Sequence, residues 1–270
     1  MAQVLAFSSY VASGHVGLAA VVPALQRLGH EVIALPSVVL SNHLGHVHWA
    51  GRPVALEDLT AMLEALEQNG QFADIDAILT GFLPTPEHVA LAAKTVRHVR
   101  DRHGDVAYLC DPVFGDEPEG HYIGVPAAQA VASELVPLAT YVTPNRFEAK
   151  FIFGEGFDDP QKALPKDCRL LAVTSAELAG DQLRTRCVTS DPEAAFACAV
   201  PYRPVVPHGT GDLFAALLLG HILNGSSESD AFSRAVAGVE TVIAASNGRD
   251  ELAIVAAIDM AAKAKPWPFA

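Results

Sequence analysis

Apolar runs of four to six residues alternate with longer amphipathic stretches along most of this chain. VLAF (4–7) reads as a buried strand, and VGLAAVVPALQRLG (16–29) as a helix that Gly29 stops. EVIALP (31–36) predicts a second strand and LEDLTAMLEALEQNG (56–70) a second helix. AILT (77–80) is the third strand. PEHVALAAKTVRHVRDRHG (86–104) is the clearest helix, with Pro86 at its start and basic residues near its end. DVAYLC (105–110) follows as a strand, AAQAVASELV (127–136) as a helix and TYVT (140–143) as a strand. Pro144-Asn145 then opens a short helix through Phe153, and LLAVT (170–174) is another strand. RTRCVTS (184–190) and AAFACAVP (194–201) suggest a hairpin, and helices are expected at 211–224, 230–246 and 252–264. This alternation predicts an α/β fold: a mostly parallel central sheet with helices on both faces. No internal repeat and no Pro/Ser-rich linker interrupts it, so residues 1–270 are expected to form one domain.

In such sheets ligands bind beyond the carboxyl ends of the strands. The residues able to do chemistry fall there. Ser8-Ser9 follow the first strand and Ser41-Asn42-His43 lie beyond the second. Gly81-Phe82, Asp111, Thr143-Pro144-Asn145 and Thr174-Ser175 follow later strands, and Gly209 to Asp212 follow the hairpin.

Composition narrows the partners. The 270 residues carry a formal net charge of −13, which argues against nucleic acid, because phosphate backbones need a basic stripe. The N-terminal MAQVLAFSSY has neither a basic region nor a long apolar run, so no secretion signal is expected. No apolar run approaches the ~18 residues of a membrane span. The cysteines, Cys110, Cys168, Cys187 and Cys198, form no CxxC pair, which fits a reduced, cytoplasmic setting.

Four motifs carry candidate chemistry. In HGTGD (208–212), Gly209 and Gly211 leave backbone amides open to an anion where a helix begins. Asp212 would repel that anion, so it reads either as a helix cap or as a base taking a proton from an attacking hydroxyl. YLCDPVFGD (108–116) places Asp111 and Asp116 after a buried strand, as Mg²⁺ beside phosphates requires or as an ordinary turn allows. In VTPNRFEA (142–149), Asn145 and Glu148 have capping-box spacing and could equally face phosphates and metal. SSYVASGHVG (8–17) and SNHLGHVHWAG (41–51) hold His15, His43, His46 and His48. Without HExxH or CxxC, a polar loop lining a pocket is the preferred reading over zinc.

These segments, together with PALQRLGHEV, LTGF, VTS and GTGDLFAA, occur in an order and spacing that resembles pyridoxal kinases of the ribokinase-like superfamily, over residues 4 to 224. The resemblance implies ATP-dependent phosphorylation of the 5′-hydroxyl of pyridoxal, with pyridoxine and pyridoxamine as further substrates. It also implies Mg²⁺, a monovalent cation (K⁺ or Na⁺) and a homodimer. By the same resemblance Asp212 is the catalytic base, and Gly209, Thr210 and Gly211 form the anion hole. Asp111 and Glu148, with Asp116 in support, would lie near phosphates and metal, and Asn145 near the phosphates. Thr143, Thr174 and Ser175 would line the nucleotide and cation side, and Arg203, Pro204 and Val205 would run along the adenine. Ser9 would contact the pyridine's polar edge, Phe82 would stack on the ring, and Tyr122, in DEPEGHYIGV, would close over the site as a lid.

Three positions depart from that family. Leu44 replaces a hydroxyl residue near the substrate, Phe82 replaces a tyrosine, and residues 155–168 are short where a full helix is usual. Two rivals follow. One is a hydroxymethylpyrimidine or sugar kinase of the same superfamily, although pyrimidine kinases usually end the anion-hole motif in Cys. The other is a vitamer-binding protein with weak turnover, which has no need to keep Asp212, Asp111 and Glu148 together.

Overall fold

Successive side chains of a strand point to opposite faces, so a strand covered on both sides must be apolar at every position. The computed structural model, which describes residues 1–154, 164–189 and 195–270, shows this over most of the central strands, with Asp76 exposed in one and Ser8 and Ser9 buried in another. In chain order the first elements are β1 (Gln3–Val11), α1 (Leu18–Arg27), β2 (Glu31–Leu40), β3 (Gly51–Pro53) and α2 (Leu56–Gln68). β4 (Ile75–Thr80), α3 (Pro86–His103), β5 (Ala107–Cys110), β6 (Gly115–Asp116) and β7 (Gly120–His121) follow. Next come α4 (Val125–Ala130), β8 (Tyr141–Val142), α5 (Arg146–Phe153), β9 (Leu170–Ala179), β10 (Gln182–Thr189) and β11 (Phe196–Pro201). The chain ends with α6 (Thr210–Leu223), α7 (Glu228–Ala245) and α8 (Ile254–Ala261). Leu5, Phe7, Ile78, Tyr108 and Val142 pack with α3 and α4 on one face of the sheet. Val4, Ala6, Leu79, Leu109 and Tyr141 pack with α1, α6 and α7 on the other.

Nine strands form one sheet in the order β11-β10-β9-β8-β5-β4-β1-β2-β3. The contiguous run from β2 through β9 is parallel, and β3, β10 and β11 add antiparallel edges. The mostly parallel α/β expectation is therefore met.

Several elements differ from the sequence reading. β1 and β2 extend to Val11 and Leu40, and β3 is an added edge strand whose three residues are exposed, so no apolar pattern announces it. The expected 170–174 strand runs on to Ala179 and pairs with β10, making a three-stranded meander rather than an isolated hairpin. The expected 127–136 helix is α-helical only to Ala130. A π turn (Val131–Leu135) and a 3-10 turn (Val136–Leu138) follow, where Pro137 offers no amide to the preceding turn. Residues 155–163 of the short 155–168 segment lie outside the described residues, as do Ser190 and Ala194 at the facing ends of the expected hairpin.

Candidate active site

The site is built around the first turn of α6. Gly209 caps that helix with φ 98°, a left-handed conformation that favours glycine. A Cβ there would also fall 2.1 Å from the His15 carbonyl oxygen, so the β1–α1 loop presses directly on this turn. Thr210, Gly211 and Asp212 follow as the first helical residues, where amides lack intrahelical partners. A Cβ on Gly211 would meet nothing within 4 Å, so open space lies against that amide row.

Asp212 is not the cap of this helix, because no side chain caps it and Gly209 occupies the cap position. Its carboxylate is buried and faces back across the loop, where the Gly17 amide donates to it. Burial pushes its pKa up to about 6, and the Gly17 contact only partly offsets that. Gly17 also approaches β1 so closely that a Cβ would sit 2.2 Å from both Ser9 O and Ser9 Oγ. One glycine thus connects the expected substrate-side serine to the expected base.

The other carboxylates converge on the same space. Asp111, just beyond β5, is buried and accepts the Thr143 hydroxyl at 2.8 Å. Burial holds its pKa well above the ordinary range, and the charges of Glu148 and Asp212 add to the rise. Glu148, buried in α5, accepts the Phe114 amide at 2.9 Å and the Gly115 amide at 3.4 Å through Oε1. Its Oε2 accepts the Asn145 amide at 2.9 Å, while Asn145 Oδ1 takes the Glu148 amide: a complete capping box. Burial still pushes Glu148 up to about 7, with Asp116 contributing. The capping reading of Asn145 and Glu148 is therefore correct, and it does not exhaust Glu148, whose charge acts on Asp111.

Asp116 lies in the β6–β7 hairpin, accepts the Glu117 amide at 2.8 Å and is raised by burial. Tyr122 follows the hairpin and is anchored by its amide to Phe114 O at 2.8 Å. Burial raises its phenol, and Asp116, Glu119, Glu148 and Asp212 act on it in the same direction, so the tyrosine faces the acidic cluster.

On the opposite side of the loop, the β1–β2 register shifts between Ser8 and Ser9, across from Pro36, which has no amide to give the ladder. Ser37, passed over in that shift, donates its hydroxyl to Phe82 O at 2.5 Å, and the Phe82 amide donates to Ser8 Oγ at 3.1 Å. Both ends of the Phe82 peptide are thereby fixed, and its ring packs beside Val11, Val38 and Leu40. Leu44 is exposed in the loop after β2.

The expected nucleotide residues lie further along the sheet edge. Thr174 bridges Asn145, and Ser175 holds φ 50°, an uncommon conformation for a serine. A cavity of about 660 Å³ is lined by Arg203, Val205 and Pro207 on one side and by Ile243, Ser246 and Arg249 on the other. That size suits a small organic ligand. Arg203 is held at the rim by Glu240 at 2.8 Å. Pro204 adjoins the lining residues without being one of them.

The sequence reading missed Gly17, the Ser8–Phe82 and Ser37–Phe82 contacts, and the 243–250 wall of the cavity. Gly17 carried a weak signal, as the last glycine of SSYVASGHVG before an apolar helix. The cavity wall carried none, because it comes from a helix end more than thirty residues after the motif it faces.

Known proteins resemble this chain over most of its length. Residues 13–253 match the family model described as phosphomethylpyrimidine kinase. Pyridoxal kinase PdxY of Rubrobacter xylanophilus is 32% identical, over 94% of this chain and 92% of its own. PdxY of Deinococcus radiodurans is 31% identical, over 94% and 91%. The crystal structure of pyridoxal kinase from Entamoeba histolytica superposes with a TM-score of 0.92 at 26% identity, covering 100% of this chain and 99% of that one. The Leishmania donovani pyridoxal kinase in complex with ADP and pyridoxamine gives 0.90 at 27%, covering 98% and 97%. With its ribokinase-like sheet and its glycine-capped helix beside clustered carboxylates, the chain belongs to the pyridoxal kinase family.

Proposed function

We propose that this protein transfers the γ-phosphoryl group of ATP to the 5′-hydroxyl of pyridoxal, and to pyridoxine and pyridoxamine, yielding pyridoxal 5′-phosphate in vitamin B6 salvage. One observation carries the reading: Asp212 is a buried carboxylate freed from capping, raised to about 6, at the mouth of a glycine-built helix N-terminus. A carboxylate of that strength is ionised near neutrality and is a better proton acceptor than an exposed aspartate.

Phosphoryl transfer needs positioning and charge neutralisation more than covalent chemistry. The open amides of Gly209, Thr210 and Gly211 would donate to the migrating phosphoryl oxygens as charge develops. Asp212 would take the hydroxyl proton. Phe82, pinned by Ser8 and Ser37, would hold the pyridine ring by its face, with Ser9 at the ring's polar edge. Tyr122 and its hairpin would close over the acidic pocket and exclude water. Thr143, Thr174 and Ser175 would border the nucleotide, and the cavity beside Arg203, Pro204 and Val205 would take the adenine.

The buried carboxylates fit a hard divalent cation, whose preference for oxygen ligands and whose charge answer the burial and like charge that raise them. Asp111, with Asp116, would hold Mg²⁺. Both Glu148 oxygens already accept amides, so Glu148 would act by charge and through a metal-bound water. When bound, Mg²⁺ would supply positive charge that neutralises the phosphates. A monovalent cation (K⁺ or Na⁺), a homodimer, a cytoplasmic setting and a single-domain chain complete the proposal, supported by the family resemblance. Among the described residues no helix is long and apolar enough to cross a membrane.

The test mixes the protein with Mg·ATP and each vitamer, following the absorbance of the phosphorylated aldehyde and the release of ADP. Turnover with pyridoxal is expected. ADP release with hydroxymethylpyrimidine alone would move the chain to the pyrimidine kinases, and tight vitamer binding without ADP would make it a holder.

A further inference from the structure

Beside the anion hole lies a second cluster that the kinase reading does not use. His43 and His46 come from the loop after β2, and Glu251 from the segment entering α8. Glu251 Oε1 stands 3.5 Å from His43 Nε2 and 3.1 Å from His46 Nε2. One ligand atom from each of the three side chains lies within 4.8 Å of the others. The His43 ring packs on His46 at 4.2 Å and on His208 at 4.5 Å between centroids, and His208 immediately precedes Gly209.

An ordinary His–Glu contact leaves this cluster unfinished. His43 Nε2 and Glu251 Oε2 are both buried without a hydrogen-bond partner. Such atoms are costly to leave unpaired. Donors held around a tetrahedral ion at about 2 Å stand roughly 3.3 Å apart, and the two His–Glu separations bracket that spacing. Two imidazoles and one carboxylate are also a known zinc set that leaves a fourth position open. Imidazole suits late first-row ions, whereas Mg²⁺ prefers oxygen and keeps its water.

We propose that His43, His46 and Glu251 form a site for a divalent late first-row metal ion, with Zn²⁺ the fitting probe, which clips the loop after β2 to the start of α8 beside the anion hole. Burial, and the neighbouring His208 and His46, keep the His43 imidazole below its ordinary pKa despite the opposing charge of Glu251. A neutral ring is the form that binds metal. Its Nδ1 accepts the Gly45 amide at 3.2 Å. Ligation through Nε2 would make Nδ1 the protonated nitrogen and release that exposed amide to water.

The experiment uses chelator-stripped full-length protein in excess Mg²⁺, which occupies the carboxylate site, and titrates Zn²⁺ against a chromophoric chelator. One Zn²⁺ per chain is expected. His46→Ala and Glu251→Gln should each weaken it by roughly 100-fold, at or beyond the loss from disturbing a ligand's partners, while Asp111→Asn should not. His46 is half-exposed, so its alanine variant keeps the core intact. Co²⁺ should give strong tetrahedral visible bands that both variants lose. No Zn²⁺ binding in excess Mg²⁺, or binding that both variants retain at wild-type strength, would overturn the proposal. Kinase activity is not the readout, so failure here leaves the proposed function standing.

Discussion

Two clusters flank the N-terminus of α6, and burial acts on them in opposite directions. On one side Asp111, Glu148 and Asp212 are pushed up, because desolvation penalises a buried carboxylate, and at Asp111 the charges of Glu148 and Asp212 add to it. On the other side His43 is pushed down, because desolvation and neighbouring histidines penalise a buried imidazolium. Both clusters resist their own charged or unpaired state, but they call for different cations. Crowded carboxylate oxygens suit a hard ion carried with phosphates, and paired imidazoles suit a softer one. The division of labour is set by donor type rather than by depth.

The largest effect should come from the acidic side. Asp212→Asn keeps an acceptor for the Gly17 amide but removes the base, so kcat should fall ~10²–10⁴-fold while ADP affinity, measured by calorimetry, stays near wild type. Next is Asp111→Asn, which should raise the apparent KM for Mg·ATP and yet stabilise the ligand-free protein. Relief of a buried like-charge cluster should be worth on the order of 1 kcal/mol, a rise of roughly 2–4 °C in Tm for a chain of this size. An unchanged Tm would mean that burial and like charge at Asp111 cost the ligand-free fold nothing.

The same cluster sets a pH dependence of stability whose direction is unusual for acids. Folding raises Asp212 from 3.8 to about 6 and Glu148 from 4.5 to about 7. The native state therefore binds more protons than the unfolded chain in that window, so stability falls as pH rises from about 4 to about 7. Urea melts of ligand-free protein across this range, with Glu148→Gln showing a flatter slope, check it.

The smallest effect belongs to the substrate loop. Leu44→Thr restores a hydroxyl near the expected vitamer position and should lower KM for at least one vitamer by a few-fold, about 1 kcal/mol or less. KM values unchanged from wild type for all three vitamers would place residue 44 away from the substrate.

The parallel strands were legible because burial on both faces leaves few polar positions to blur the run, as in VLAF and in AYLC, the part of the expected 105–110 strand that pairs in the sheet. The edge was not. β3 is exposed throughout, and the continuation of β9 through Ser175 and Glu177 alternates polar with apolar, which a single buried-strand rule passes over. In the site, residues next to strand ends could be read directly, and the charges of Glu148 and Asp212 do reach Asp111. Whether Asp212 caps a helix or faces a ligand could not be read from HGTGD, because Asp suits both roles. The answer lies in Gly209 taking the cap and Gly17, about two hundred residues earlier, reaching the carboxylate. The His43–His46–Glu251 cluster was equally hidden, because its carboxylate stands more than two hundred residues beyond its histidines.

The central claim is that the Asp212 carboxylate accepts the hydroxyl proton, and single-turnover phosphoryl transfer from Mg·ATP to pyridoxal, followed across pH in wild type and Asp212→Asn, tests it most directly. The wild-type rate should climb as pH rises to about 6, where Asp212 loses its proton, and level off above, whereas the variant should be slow throughout and lack that limb. A variant that keeps the limb and turns over within a few-fold of wild type would contradict the account.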